Sequence, residues 1–349
     1  QTAMVREGAV RADLRDIANE TKLSGTLNLN NNTVSAQVLG NSAGARTSTG
    51  SIAVGNAIQF DGSADIVGTT APAAVAHSSL ISGTSAVANA DLLINSVQRN
   101  DANTFQASLL PSQTTPFPYS EIVSRVDNLA GGSISQNGNT QSATATASLA
   151  GNLISAGSST SIGNIQANAA ILNTQSNVNT DVMAKVENAR QSVTVGIASP
   201  SATISGSVSL NDNSIQASTE GNVAASSLNL KASNLAVGGN GTGLVALVPT
   251  TNSATSGLSA SVLSLQSNDA LNLTSENKGS SITANFNEQG LTPANLPVSA
   301  SQVSVNSNSL TALATANSTS NALNLTASTA SGLNAGLGNS QYLTGHDVT

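Results

Sequence analysis

The 349-residue chain has no cysteine and no tryptophan, only 2% aromatic residues, two histidines and 8% charged residues. Each shortage removes a class of chemistry. Without cysteine there is neither a disulfide framework nor a thiolate metal site. An average globular domain carries about 25% charged residues, so the acids, bases and cations from which active sites are built are scarce here. The formal charge is -7 with a pI near 4.6, and the basic residues form no stripe, so nucleic acid is not an expected partner. No apolar run approaches the roughly 18 residues needed to cross a bilayer as a helix.

Ala, Ser, Thr, Asn and Gly fill the space. Such side chains bury little apolar area to offset ordering entropy, so a chain this rich in them stays ordered only if a regular arrangement satisfies its backbone. Stacked β-coils meet that condition, because each rung bonds to the next and Asn ladders suit tight turns.

Internal repeats carry the argument further. Val208–Ser233, VSLNDNSIQASTEGNVAASSLNLKAS, aligns without gaps with Val303–Ser328, VSVNSNSLTALATANSTSNALNLTAS. Twelve of the 26 pairs are identical, among them Asn213/Asn308 and Asn222/Asn317. A third copy begins at Leu27 and carries Asn32 and Asn41, and a degenerate fourth, ISQNGNTQSATATA, begins at Ile134. A shorter signature reads SVQRND around Gln98, NTQSNV around Gln175 and SLQSND around Gln266. The unit is thus a Gln-x-Asn segment, a variable middle and an Asn-rich segment, with units near 27–97, 98–174, 175–265 and 266–349.

Within each unit apolar and small polar residues alternate with period two, broken by Asn-x-Asn and Gly-Asn pairs that favour turns. The expected fold is all-β, a parallel β-helix or β-solenoid over 23–349. Asn32, Asn41, Asn213, Asn222, Asn308 and Asn317 are expected at turns, and Gln98, Gln175 and Gln266 in ladders between rungs. Coils of about 25 residues at ~4.8 Å spacing would give a body on the order of 65 Å long.

The first 22 residues differ. They hold eight of the 29 charged residues, with Val10, Leu14 and Ile17 at helical spacing, and predict a short helix that caps the body or docks on a neighbouring subunit. Pro116, Phe117, Pro118 and Tyr119 predict a loop leaving the regular coils. The chain opens Gln1-Thr2, as a secreted form would after removal of an export signal and as a cut in a longer chain would equally.

Asn-x-Asn-Ser/Thr-Ile/Leu/Val-x-Ala, then Gly/Ala-Asn, then Leu-Asn-Leu, in repeats separated by Gln-Ser-Asn, resembles the β-strand-repeat surface and filament proteins of Gram-negative bacteria. The resemblance covers most of the chain. It implies an extracellular, secreted or cell-surface location, a structural role in a fibre or biofilm matrix, and no catalytic residues.

Three motifs that elsewhere carry chemistry read better as structure. Gly40-Asn41-Ser42-Ala43-Gly44 fits a nucleophile elbow, yet the other copies place Val223 and Ser318 at the serine position, and a general base would have to be His77 or His346. Gly238–Gly243 resembles the opening of a calcium nonapeptide but has Gly243 where the Asp ligand belongs. Asp101, Asp181, Asp212 and Asp269 lie in different repeats, unlike the clustered carboxylates of a polysaccharide-cleaving enzyme. Neither a metal nor a cofactor is expected.

The expected function is therefore non-catalytic: a filament subunit that joins copies of itself head to tail, or a repeat stalk of a cell-surface adhesin. Extracellular polysaccharide or other cell surfaces are further expected partners. Leu337, Gln341, Tyr342 and Leu343 are expected to meet Val10, Leu14 and Ile17 of the next subunit.

Overall fold

The computed structural model describes residues 2–6, 9–14, 22–47, 51–68, 74–78, 85–111, 120–126, 128–157, 162–195, 204–236, 244–247, 253–256, 260–286, 302–345 and 347–349. Every regular element in them is a β-strand. No described helix is long and apolar enough to cross a membrane.

The strands recur in passes. The first lays down β1 (Thr2–Arg6), β2 (Ala9–Leu14), β3 (Lys22–Leu23), β4 (Thr26–Asn28), β5 (Thr33–Arg46), β6 (Ile52–Val54), β7 (Asn56–Phe60) and β8 (Ile66–Val67), then the pair β9 (Ala74–Ser78) and β10 (Ser85–Asn89). The second comprises β11 (Leu92–Asp101), β12 (Thr104–Leu110), β13 (Ser120–Val126), β14 (Asn128–Ser135), β15 (Thr140–Ala156) and β16 (Ile162–Gln166). The third comprises β17 (Ala169–Glu187), β18 (Ala189–Val195), β19 (Ile204–Ser209) and β20 (Ser214–Ala236), followed by β21 (Leu244–Leu247) and β22 (Ser253–Ser256). The fourth is β23 (Ala260–Lys278), β24 (Ser281–Phe286), β25 (Gln302–Ser304) and β26 (Ser309–Ser331), and β27 (Ala335–Thr344) and β28 (Asp347–Val348) follow.

In the main body the strands pair in parallel with counterparts one pass away, apart from β6, which pairs antiparallel with β5. One sheet runs β1-β12-β17-β23-β27, a second runs β2-β13-β18-β24, and a third holds β5-β15-β20-β26. The register equals the sequence alignment: Asn222 pairs with Asn317, and Gln175 with Gln98 on one side and Gln266 on the other. Parallel-paired residues are 70 to 107 positions apart in the third sheet, as in Ile162↔Ala232 and Thr140↔Thr33. The expected 25-residue coil is thus replaced by passes about three times longer, because single strands reach 23 residues and two long strands face each other in each pass. Five stacked strands in the first sheet span only about 19 Å at the ~4.8 Å strand spacing.

The N-terminal helix is not found. Val10 and Leu14 belong to β2, in register with Ile122 and Val126. Val10, Ala12 and Leu14 also alternate with Arg11 and Asp13, and an available strand edge on β13 rewards that period of two over the helical one. Ile17, the Pro116–Tyr119 loop, Gly238–Gly243 and His346 lie outside the described residues.

Corners recur in columns. Asn31, Gly138, Asp212 and Ser307 all have φ between 54° and 65°, and Ala102, Asn179, Ala270 and Gly345 have φ between 48° and 55°. Non-glycine residues rarely adopt this left-handed backbone. Here it is held from the neighbouring pass: the Asn31, Gly138 and Asp212 amides donate to the Asn137, Asn211 and Asn306 carbonyls at 2.9, 3.0 and 3.0 Å.

Two long strands face each other across the core in opposite directions. Along β17, Ile171 comes first, Gln175 and Asn177 next, and Val182 and Ala184 last. Along β20 the order is Ile215 and Ala217, then Asn222, then Leu228 and Leu230. One apolar cluster therefore joins Val182 to Ile215, a second joins Ile171 to Leu228, and a seam of amides separates them.

A smaller sheet stands apart. Strands β9, β10, β21 and β22 pair antiparallel in the order β22-β21-β10-β9. Its two halves enter after the first and third passes, whereas between β16 and β17 the chain turns within two residues. These excursions help explain why equivalent glutamines are spaced 77 and then 91 residues apart.

Candidate functional site

The seam is where this molecule concentrates its polar side chains, and it is built as three ladders. In the first, Asn32 donates from both N and Nδ2 to Asn139 Oδ1 at 2.8 and 3.0 Å. Asn139 does the same to Asn213 Oδ1, and Asn213 to Asn308 Oδ1, all at 3.0 Å. Asn139, Asn213 and Asn308 also donate from Nδ2 to a carbonyl of the preceding pass: to Leu29 O at 2.9 Å, Gln136 O at 2.9 Å and Leu210 O at 2.7 Å, respectively. These asparagines sit at the entries to β5, β15, β20 and β26, beside the left-handed corner, where a short amide side chain reaches backbone on both sides.

The second ladder is made of glutamines and runs the opposite way. Gln175 Nε2 donates to Gln98 Oε1 at 2.7 Å, Gln266 to Gln175 at 2.8 Å, and Gln341 to Gln266 at 3.0 Å. Each also crosses the core to the facing sheet, Gln98 to Leu149 O at 2.7 Å, Gln175 to Val223 O and Gln266 to Ser318 O at 3.0 Å.

The third ladder zigzags between the facing sheets. Asn41 bonds Asn100 at 2.9 Å and Asn100 bonds Asn177 at 2.7 Å. Asn177 reaches both Asn222 and Asn268, and Asn222 reaches both Asn268 and Asn317. Asn177, Asn222 and Asn268 are fully buried. Strand pairing is interrupted one residue earlier, at Gly40, Ala147, Gly221 and Ala316. A Cβ on Gly221 would run into the Ala316 carbonyl oxygen, so the small residue permits the close approach.

The structure thus brings the predicted glutamines and asparagines together and sorts them. Asn32, Asn213 and Asn308 are at turns, as expected. Asn41, Asn222 and Asn317, expected at turns, lie inside strands instead, because a ladder in the seam needs inward-pointing amides rather than corner ones. Asn139, Asn100, Asn177 and Asn268 carry equal shares and were not singled out beforehand. Their signal was present: three of them stand two residues after Gln98, Gln175 and Gln266.

Other polar groups are peripheral. Arg46 pairs with Glu220 two passes away, and Thr146 Oγ1, in the pass between, donates to the same carboxylate at 2.9 Å. Lys185 lies 3.3 Å from Glu187 and 3.5 Å from Glu276. Desolvation pulls its pKa down, but the hydrogen bonds and charges of the two carboxylates outweigh it and hold the ammonium above the usual lysine range.

Ser42 lies within the extended strand β5 and donates to Gly44 O at 2.5 Å, in place of the sharp turn of a nucleophile elbow. Asp181 accepts from Asn272 and Asp269 from Thr344, both at 2.8 Å. Among the described residues no three His, Cys, Asp or Glu side chains gather as a metal site. No protein-family model, no curated protein and no solved structure matches the chain.

Proposed function

We propose that the chain is a β-solenoid with a structural role: a subunit of an extracellular filament that assembles head to tail, as its resemblance to β-strand-repeat surface and filament proteins implies. One observation carries this reading. The amide ladders pass through every layer and arrive at both outer layers, at Asn32, Asn41 and Gln98 on one side and at Asn308, Asn317 and Gln341 on the other. Nothing in such a column limits its length, since each layer presents to the next the groups that it accepted from the last. Negative-stain imaging of the purified chain tests it. Long regular fibres are expected; particles that stay monomeric at every concentration would contradict it.

A second reading, a repeat stalk of a surface adhesin, is favoured by the sheet β22-β21-β10-β9. It is held by strands that leave two different passes, an arrangement suited to displaying a contact surface beside a shaft. On that reading the chain alone stays monomeric and binds cells or extracellular polysaccharide.

A further inference from the structure

The two outer layers are not alike. On the last pass Val303, Val305, Leu310 and Leu337 are 45–56% exposed, although their counterparts one pass earlier, Val208, Leu210, Ile215 and Val262, are at most 2% exposed. This is an apolar row, in the register of the core, without a covering layer among the described residues. In the second pass, β11 has β17 on one side and no strand on the other among the described residues. It has ten residues, as does β27, and the two hold the same columns: Leu92 and Ala335 both align through Ala169 and Ala260, and Gln98 and Gln341 both align through Gln175 and Gln266.

We infer that the occupant of the last-pass edge is the leading edge of a second copy of this chain, seated in parallel with β27 on β11 and β26 on β5, so that Thr2 of the added copy takes the place beside Thr274 that Thr349 holds in the single chain and the final residue gives way. This rests on the stacking reading above and fixes its register. In that register Val303, Val305 and Leu310 come to lie on Leu27, Leu29 and Val34 of the added copy. The columns join as Gln341 to Gln98, Asn317 to Asn41 and Asn308 to Asn32.

The ladders choose the polarity. Gln175, Gln266 and Gln341 donate toward the earlier pass, so Gln341 Oε1 faces outward as an acceptor, and Gln98 Nε2 of the added copy, which in the single chain spends that proton on Asn41 O at 3.2 Å, becomes the matching donor. The turn asparagines donate the other way, so the Asn308 amide offers N–H and the Asn32 Oδ1 accepts. A contact between two last-pass edges would set acceptor against acceptor in the glutamine column and donor against donor in the asparagine column. The interface is therefore heterologous and open, and it propagates. The sequence expectation had joined Leu337, Gln341, Tyr342 and Leu343 to Val10 and Leu14, but those two belong to a different sheet, the one that holds β24, and in this register they sit over β24. Each copy adds four strands to the third sheet, so the axial repeat is about 19 Å.

Arg99 and Tyr342 share a column through Ser176 and Ser267. The chain has no cysteine of its own, so Arg99→Cys with Tyr342→Cys places the only two thiols about 4.8 Å apart across the joint, within disulfide reach. Arg99→Cys with Ala335→Cys displaces them by seven residues, roughly 23 Å. Both variants are first shown by circular dichroism, under reducing conditions, to keep the strand content of the parent. Expected on oxidation is a ladder of covalent oligomers from the first variant and monomer from the second. Fibres of normal appearance with no ladder from the in-register pair, or with one from the displaced pair, would overturn this register and leave the stacking reading standing. Absence of fibres from the unaltered chain would remove the stacking reading and the register with it.

Discussion

Strands β20 and β26 are near copies in sequence, lie side by side in register, and yet differ in almost every burial. Ile215 is fully buried and Leu310 is 51% exposed; Asn213 and Asn222 are fully buried, whereas Asn308 and Asn317 are half-buried. The alternation that marks both segments states which side chains point inward. Whether those side chains are removed from water depends on the layer above, which β20 has in β26 and which β26 lacks among the described residues.

That comparison can be broken most severely with a charge. Gln175→Glu buries a carboxylate between Gln98 and Gln266, and the loss of unfolding free energy in denaturant at pH 7 is expected at about 3–5 kcal/mol. Gln341→Glu, at the exposed end of the same column, should cost under about 1 kcal/mol in the monomer, since water solvates the new charge. Equal costs would mean that the column is not layered as described.

Next in size is the apolar pair. Ile215→Ala leaves a cavity between facing sheets and should cost about 2–4 kcal/mol. Leu310→Ala, at the equivalent position, should cost less than about 1 kcal/mol in the monomer. A smaller effect of opposite sign is expected at Asn173. It is fully buried, and neither its Oδ1 nor its Nδ2 has a hydrogen-bond partner. Replacing an unpaired buried amide by a hydrocarbon of similar shape removes a desolvation penalty, so Asn173→Leu should be neutral or stabilising by about 1 kcal/mol. Thermal unfolding of this variant beside Gln175→Leu, which breaks a satisfied ladder, separates the two kinds of buried amide.

The smallest effect concerns Lys185. Its pKa is raised in the folded chain, so its contribution is present below the unfolded lysine value near 10.4 and is lost as pH rises through the folded value. Because the group is only partly buried, water screens the pairing and a few tenths of a kcal/mol are expected, seen as a stability difference from Lys185→Met that vanishes in strong alkali.

Much of this architecture was legible from Asn and Gln positions alone. The gap-free alignment of Val208–Ser233 with Val303–Ser328 is also the strand register, because a parallel stack places like on like and identical amides then pair. Pass length was present as the 77- and 91-residue spacing of Gln98, Gln175 and Gln266; what was not legible is that each such unit is a single pass rather than several 25-residue coils. Asn-x-Asn turn signals suggested short strands, but Asn222 and Asn317 lie inside 23-residue strands, where the sequence signature of a turn and that of a seam ladder coincide. The N-terminal strands were missed for a related reason. Positions 10 and 14 satisfy both periods, and the edge of β13, more than 100 residues away, decides between them.

Amide hydrogen exchange, resolved by residue on the monomeric chain, tests most directly the claim that neighbouring layers set the difference between these twin strands. In a parallel stack alternate amides of a strand donate to opposite neighbours. All amides of Ile215–Leu230, apart from the interruption at Gly221, should exchange slowly, near the limit of global unfolding, whereas in Leu310–Leu325 every second amide should exchange fast. Uniform protection along both strands, or equal alternation in both, would contradict the account.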